Sequence, residues 1–266
     1  MSETAPAYGH PSDADLERRF GGLRRLYGEA GYARLRAARV AVVGLGGVGS
    51  WSVEALARSG VAGLVLIDFD HVAESNINRQ VQALGTTLGQ AKGEALRARI
   101  ADIHPGCEVA PVDAFVDADN WPALLPHPVD ALVDACDQLR AKRALAAWAL
   151  AERMRFVSVG AAGGKRHAER VAVADLADVT HDPLLAGMRQ RLRKESLVPR
   201  QGRSGLRCVY SSEPVARPFD ACDAPALKGG SLNCHGYGSS VTVTATFGLV
   251  AAGEVIAQLL EGAQAR

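Results

Sequence analysis

The run Gly44-Leu45-Gly46-Gly47-Val48-Gly49 is of the kind that brings bare main-chain amides against an anion. Gly44 permits a tight turn, Gly46 lets the backbone approach a phosphate, and Gly49 allows close packing of a helix on the preceding strand, with Gly47 in the same cradle. Two carboxylates follow, Asp68 and Asp70, then Ser75-Asn76-Ile77-Asn78-Arg79-Gln80 and Lys92. Asp68 lies 24 residues after Gly44, the spacing of an acid that binds a ribose hydroxyl. Arg79 and Lys92 add two cations. A triphosphate about to be cleaved needs such cations, because charge develops on the leaving pyrophosphate. A dinucleotide site has no such need. Asp134 closes another apolar run and Asp137 follows it; carboxylates at the C-terminal end of a strand are natural Mg²⁺ ligands. Taken singly, Arg79 and Lys92 also read as ordinary surface charges.

These groups need elements to hold them. Arg39-Val40-Ala41-Val42-Val43 is a β-branched run that predicts a strand buried on both faces, and residues from about Val48 to Arg58 predict a helix. Leu64 to Asp68 predicts a second strand and Val129 to Asp134 another. Helical patterns over Gly89 to Ile103 and Arg140 to Arg153 are each followed by a strand-like run, Glu108 to Asp113 and Phe156 to Gly160. This rhythm predicts an α/β fold: a Rossmann-like, doubly wound, mostly parallel sheet. After Gly163-Gly164 the rhythm lapses. Arg170 to Asp175 reads as a strand, Pro183 to Glu195 as a helix, and Val198 to Tyr237 as long loops or a crossover, so residues 163–238 are expected to form a loop-rich C-terminal insertion. Ser239 to Leu260 carries one charge, Glu254; its Thr-rich start and glycine breaks favour a buried strand-to-helix closing element over a membrane span.

GxGGxG, Asp-x-Asp, Ser-Asn-x-x-Arg-Gln, Lys and Asp-x-x-Asp together resemble the ubiquitin-activating-enzyme-like adenylating enzymes, the MoeB/ThiF group, which activate a carboxylate as an acyl-adenylate with release of pyrophosphate. The N-terminal run Arg19 to Gly28 (RFGG…RLYG), with Leu232-Asn233-Cys234 and Val241 to Gly248 near the end, resembles one bacterial branch: the tRNA threonylcarbamoyladenosine dehydratases. That resemblance implies an ATP-dependent cyclisation of a modified adenosine next to the anticodon. It implies that Asp68 binds ribose, that Asp70, Arg79 and Lys92 surround the phosphates with Asn76, Asn78 and Gln80 nearby, and that Asp134 holds Mg²⁺. It further implies a homodimer in which an N-terminal arginine, Arg25 by choice over Arg19 and Arg24, crosses to the partner's ATP. A sulfur-transfer protein of the cysteine desulfurase type is a candidate partner, and a monovalent cation (Na⁺ or K⁺) a candidate cofactor.

At 266 residues and 48% hydrophobic content the chain suits one large domain, 18–266, after a polar and flexible segment over 1–17. That segment lacks the features of a secretory signal. A net charge of +1 gives no overall basic field, and nothing suggests DNA as a partner. Between Gly187 and Arg207, however, seven basic residues, among them Arg189, Arg191, Arg193 and Lys194, face one acid, Glu195. They read as a phosphate-backbone footprint for tRNA or as a solvated helix face. Five cysteines without a CxxC pair argue against a structural zinc and fit a reducing cytosol. Cys234, in a Gly/Ser-rich loop, is the one whose setting invites a nucleophilic role; a small buried residue is the alternative. Two other functions stay open: adenylation of the C-terminus of a small ubiquitin-like or sulfur-carrier protein, and an NAD(P)-dependent dehydrogenase or non-catalytic nucleotide-binding module.

Overall fold

The buried apolar runs assemble into one seven-stranded sheet. A computed structural model describes residues 15–216 and 237–261. The strands are β1 (Arg39–Val43), β2 (Gly63–Ile67), β3 (Glu108–Val112), β4 (Ala131–Asp134), β5 (Arg155–Val159), β6 (Val171–Asp175) and β7 (Arg207–Ser211), in the spatial order β3-β2-β1-β4-β5-β7-β6. Every pairing is parallel except β6 with β7. The helices are α1 (Leu16–Phe20), α2 (Gly22–Ala37), α3 (Gly49–Arg58), α4 (Lys92–Ile103), α5 (Leu139–Ala151), α6 (Pro183–Lys194) and α7 (Val241–Leu260). Alternate residues of β1 divide the core. Val40 and Val42 pack with α3, α4 and α7, while Ala41 and Val43 pack with α5 and α6. The chain winds from β1 outward to β2 and β3, then returns to the other side of β1 with β4. The switch point, where such sheets bind ligands, therefore lies between the C-terminal ends of β1 and β4.

Three expectations are corrected. Within the 163–238 region one element was not expected: β7 slots between β5 and the expected strand β6, so both extend the main sheet, while residues 217–236 lie outside the described residues. The Thr-rich stretch after Ser239 is helical from Val241, capped by the Ser240 hydroxyl. A β-branched run has a choice of states, and here tertiary packing decides: a Cβ on Gly248 would lie 2.4 Å from the Val48 carbonyl oxygen, so only glycine lets α7 close onto α3. By length and composition α7 could cross a membrane, yet 61% of its apolar window is buried inside the fold. At the other end, Leu16 and Glu17 already belong to α1, capped by Asp15, while residues 1–14 lie outside the described region.

α1 docks through Phe20, whose ring lies 4.7 Å from that of His104. His104 is 1% exposed and its Nε2 sits 2.8 Å from an Arg36 guanidinium nitrogen, so the imidazole accepts there and stays neutral. Burial, with Arg36 beside it, holds its pKa down to about 4 from the usual 6.5. Unfolding therefore takes up a proton below pH 6.5. The stabilisation is complete above pH 6.5 and is lost as pH falls towards 4, by about 2–3 kcal/mol. Urea unfolding of wild type and His104→Phe at pH 7 and pH 4.5 checks this: the stability difference between them should shift in favour of the variant at the lower pH.

Candidate active site

A cavity of about 570 Å³ opens at the switch point. Its floor is the β1–α3 turn. Gly44 has φ 86°, and a Cβ on Gly49 would fall 1.7 Å from the Gly44 carbonyl oxygen, so the turn folds back on itself as only glycine allows. Gly44, Gly46 and Gly47 line the cavity, whereas Gly49 supplies the packing beneath and does not reach it. The Ser50 amide donates to the Gly46 carbonyl and those of Trp51 and Ser52 to the Val48 carbonyl, and the positive end of the α3 dipole at this turn favours an anion.

The acidic pair lies at the end of β2. Asp68 accepts from the amides of Leu45 (2.6 Å) and Asp70 (2.8 Å) and is held by burial above the usual carboxylate range, with Lys92 opposing. Lys92, 5% exposed, opens α4 with its Nζ 2.7 Å from Asp70 Oδ2 and 3.9 Å from Asp68 Oδ1. Arg79 faces it across the loop. One guanidinium nitrogen donates to the Ser75 carbonyl (2.7 Å) and Asn78 Oδ1 (3.0 Å), and burial lowers its pKa. The Trp51 indole donates to the Arg79 carbonyl at 2.9 Å, tying the arginine to the first turn of α3. Asn76 and Gln80 are buried and line the cavity; Asn76 Oδ1 accepts from the Ala73 amide and Gln80 Oε1 from Gln82. Asn78 stays outside it, its amide nitrogen donating to the Ser239 carbonyl at 3.0 Å.

The metal role expected of Asp134 meets a geometric obstacle. Asp134 is 0% exposed, does not line the cavity and is already surrounded. Oδ2 accepts from Lys142 (2.9 Å) and Ser158 (2.7 Å); Oδ1 accepts from the Cys136 amide (3.3 Å) and thiol (3.0 Å). The carboxylate that does reach the cavity at this strand end is Asp137. Of the two acids in Asp-x-x-Asp, the one expected to hold the metal, Asp134, is turned away from the cavity, and its neighbour Asp137 lines it. No group of three or more His, Cys, Asp or Glu side chains gathers into a metal cage among the described residues. Mg²⁺ needs no such cage, because one or two carboxylates with substrate phosphates and waters hold it.

Several lining residues gave no sequence signal: Phe115, Gln138, the 160–163 turn, Ser239 and Thr244. Phe115 is half exposed, its ring 4.8 Å from that of Phe69 and tilted 39° to it, which leaves an apolar edge at the rim. Cys136 lines the cavity as well, but burial drives its thiol pKa well up and the thiol donates to Asp134, which leaves it no thiolate character. Cys234 lies outside the described residues. On α6, Arg189 is not available to a partner: it donates to the Leu176 and Val179 carbonyls. Arg193 is half-buried, and Arg191 and Lys194 are exposed. At the N-terminus, Arg19 donates to the Asp102 and Ile103 carbonyls and Arg24 pairs with Glu17 and Glu29. Arg25 is exposed on α2 and away from this cavity.

The ThiF family model matches residues 21–265. The chain belongs to the ThiF family. Among ThiF proteins, the tRNA threonylcarbamoyladenosine dehydratase of Haemophilus influenzae is 39% identical over 253 residues, covering 93% of this chain and 95% of its own. That of Escherichia coli is 39% identical, with 94% and 96% covered. The solved structure of the E. coli tRNA N6-threonylcarbamoyladenosine dehydratase in complex with ATP superimposes with a TM-score of 0.84 at 38% identity, over 94% of this chain and 97% of that one. The same ThiF protein has also been solved with AMP.

Proposed function

We propose that this protein uses ATP to cyclise threonylcarbamoyladenosine next to the anticodon of tRNA, through an acyl-adenylate. The observation that carries the reading is similarity along nearly the whole chain to dehydratases of that name. The cavity supports the chemistry: a phosphate cradle lined by an acid suited to ribose, Asp68, and by two cations, Lys92 beside that acid and Arg79.

ATP lies over the Gly44–Gly47 turn, its ribose hydroxyls on Asp68 and its purine towards the Phe69–Phe115 rim. The threonyl carboxylate attacks the α-phosphorus, the bond to the β-phosphate oxygen breaks, and pyrophosphate leaves. Lys92 and Arg79 stabilise the charge that develops on it. Mg²⁺, when bound with the nucleotide, neutralises phosphate charge, and Asp137 is the carboxylate placed to hold it. The neighbouring carbamoyl group then attacks the activated carbonyl carbon and AMP leaves, closing the ring with net loss of water. Because both partners belong to one nucleoside, proximity alone makes this second step fast, with no enzyme nucleophile. In a homodimer, Arg25 is the N-terminal arginine left to reach the partner's nucleotide, since Arg19 and Arg24 are engaged within their own chain.

The deciding experiment incubates purified protein with ATP and tRNA and measures the nucleosides by mass spectrometry. Loss of one water from threonylcarbamoyladenosine, dependent on ATP, is the expected result. Unchanged nucleosides, with pyrophosphate released only when a small carrier protein is added, would replace this reading with carrier-protein adenylation.

The basic end of α6 is the expected tRNA contact. Its N-terminus abuts the cavity at Leu184, and Arg191 and Lys194 stand exposed towards its other end. Alanine at each should weaken tRNA binding and reduce the slope of log K against log [salt] by about 1. Filter binding across a salt series measures it; slopes equal to wild type would remove α6 from the interface.

A further inference from the structure

Lys142 carries a charged side chain with no measurable exposure. It sits on α5, next to Ala141, which lines the cavity, and donates to Asp134 Oδ2 at 2.9 Å and to the Asp134 carbonyl at 3.3 Å. Burial alone would lower its pKa, but the Asp134 carboxylate more than offsets this and holds it raised, so the pair is ionic. Such a pair is a poor stabilising device. Desolvating two charges cancels most of their attraction, and well-packed apolar replacements are often as stable or more so. Its presence here calls for another reason.

That reason lies one step further along the chain. The free side of the Asp134 carboxylate, Oδ1, accepts from the amide and the thiol of Cys136 and so pins the turn that runs from Ala135 to Asp137. The same turn presses on the phosphate cradle: a Cβ on Gly44 would lie 2.8 Å from the Ala135 carbonyl and the Cys136 amide. The Ala135 amide donates to the Val43 carbonyl at 2.8 Å, which locks strand end to strand end. Orientation of Asp134 thus sets the path of the turn, and the path of the turn sets where Asp137 meets the phosphates.

We propose that Lys142 is a positioning residue of the nucleotide site: by fixing Asp134 it holds the Ala135–Asp137 turn so that Asp137 faces the metal–nucleotide. The inference rests on the reading of this cavity as an Mg²⁺–ATP site, and Lys142 itself touches no reacting atom. It explains why a fully buried charge pair stands where an apolar pair would fit.

The test compares wild type, Lys142→Met, the double variant Lys142→Met/Asp134→Leu, and Ser158→Ala, which keeps the ion pair and removes one donor from Oδ2. Thermal unfolding is measured first, then ATP binding by calorimetry with and without Mg²⁺. In wild type Mg²⁺ should tighten ATP binding. The double variant should recover most of the melting temperature lost in Lys142→Met, yet its affinity for Mg²⁺ with ATP should be weaker by about 10-fold, as for other residues that orient a metal-facing group. Ser158→Ala should move the same quantity in the same direction by less. A double variant with wild-type stability and wild-type Mg²⁺ linkage would overturn the proposal, as would an unchanged linkage in Ser158→Ala should the double variant not fold. Because calorimetry needs no tRNA, failure of the wild-type protein to dehydrate tRNA would count against the proposed function and leave this inference standing.

Discussion

Alanine at Lys92 should lower kcat/KM for pyrophosphate release by about 10²–10³-fold, the loss that follows removal of a preorganised donor from a developing oxyanion. Two features argue for the upper part of that range. Lys92 is 5% exposed, so its charge acts through little water. It also sits between Asp68 and Asp70, at 3.9 and 2.7 Å, and its loss leaves two carboxylates facing a triphosphate. The contact with Asp70, 58% exposed, contributes under about 1 kcal/mol, but buried Asp68 also loses its cation, so a fall in melting temperature should accompany the kinetic loss. Arginine at 92 should not restore activity: the buried position fits an ammonium on a narrow stem, not a planar guanidinium. Alanine at Arg79 should have a smaller effect, since part of that guanidinium is already bonded to Ser75 and Asn78. A coupled pyrophosphate assay beside a thermal melt separates these outcomes; a Lys92→Ala enzyme within a few-fold of wild type would contradict the assignment.

The second large effect concerns the two aspartates at the end of β4, which should fail in different ways. Asp134→Ala strands the Lys142 ammonium in the core with only a carbonyl at 3.3 Å. Removing one member of a buried pair destabilises by about 3–5 kcal/mol, so the melting temperature should fall on the order of 10 °C. Asp137→Ala removes a half-buried carboxylate at the cavity wall and should leave the melting temperature near wild type while activity collapses. Thermal melts and pyrophosphate release on both variants decide it. A stable Asp134→Ala protein that has lost only its Mg²⁺ response would return the metal role to Asp134.

The two aspartates are not separable from sequence alone. Asp-x-x-Asp at a strand end offers two carboxylates, and nothing local says which is turned inward. The answer lies on the next helix, where Lys142 claims Asp134, and in β5, where Ser158 does the same. Arg189 repeats the lesson: a basic helix face is visible in sequence, but the carbonyls of Leu176 and Val179 that absorb one of its charges are not. The strands β1 to β6 and helices α3 to α6 were legible, because their apolar runs are continuous and bounded by glycine or charge. β7 was not. Its five residues, Arg207–Ser211, mix Cys, Tyr and Ser within a Gly-, Pro- and Ser-rich stretch and become a strand only because β5 and β6 pair with them. Likewise the rim formed by Phe69 and Phe115 joins residues from two different strand ends, a proximity that only the parallel pairing of β2 with β3 creates.

The threading of β7 between β5 and β6 also fixes a timetable. On the ribosome β5 is finished 48 residues before β7 begins, so its outer edge stays open while the intervening chain is made. α7, which follows all seven strands in the chain, is the helix that covers the apolar ground between α3 and β5. Until it emerges, a nascent chain shows both a bare strand edge and an uncovered core face, the two surfaces most prone to pairing with other chains. Ligand meets an incomplete cavity during that interval, because Ser239 and Thr244, which line it, follow every strand in the chain. Stabilisation by bound nucleotide is thus a property of the finished enzyme alone, and the unfinished one depends on chaperones or speed.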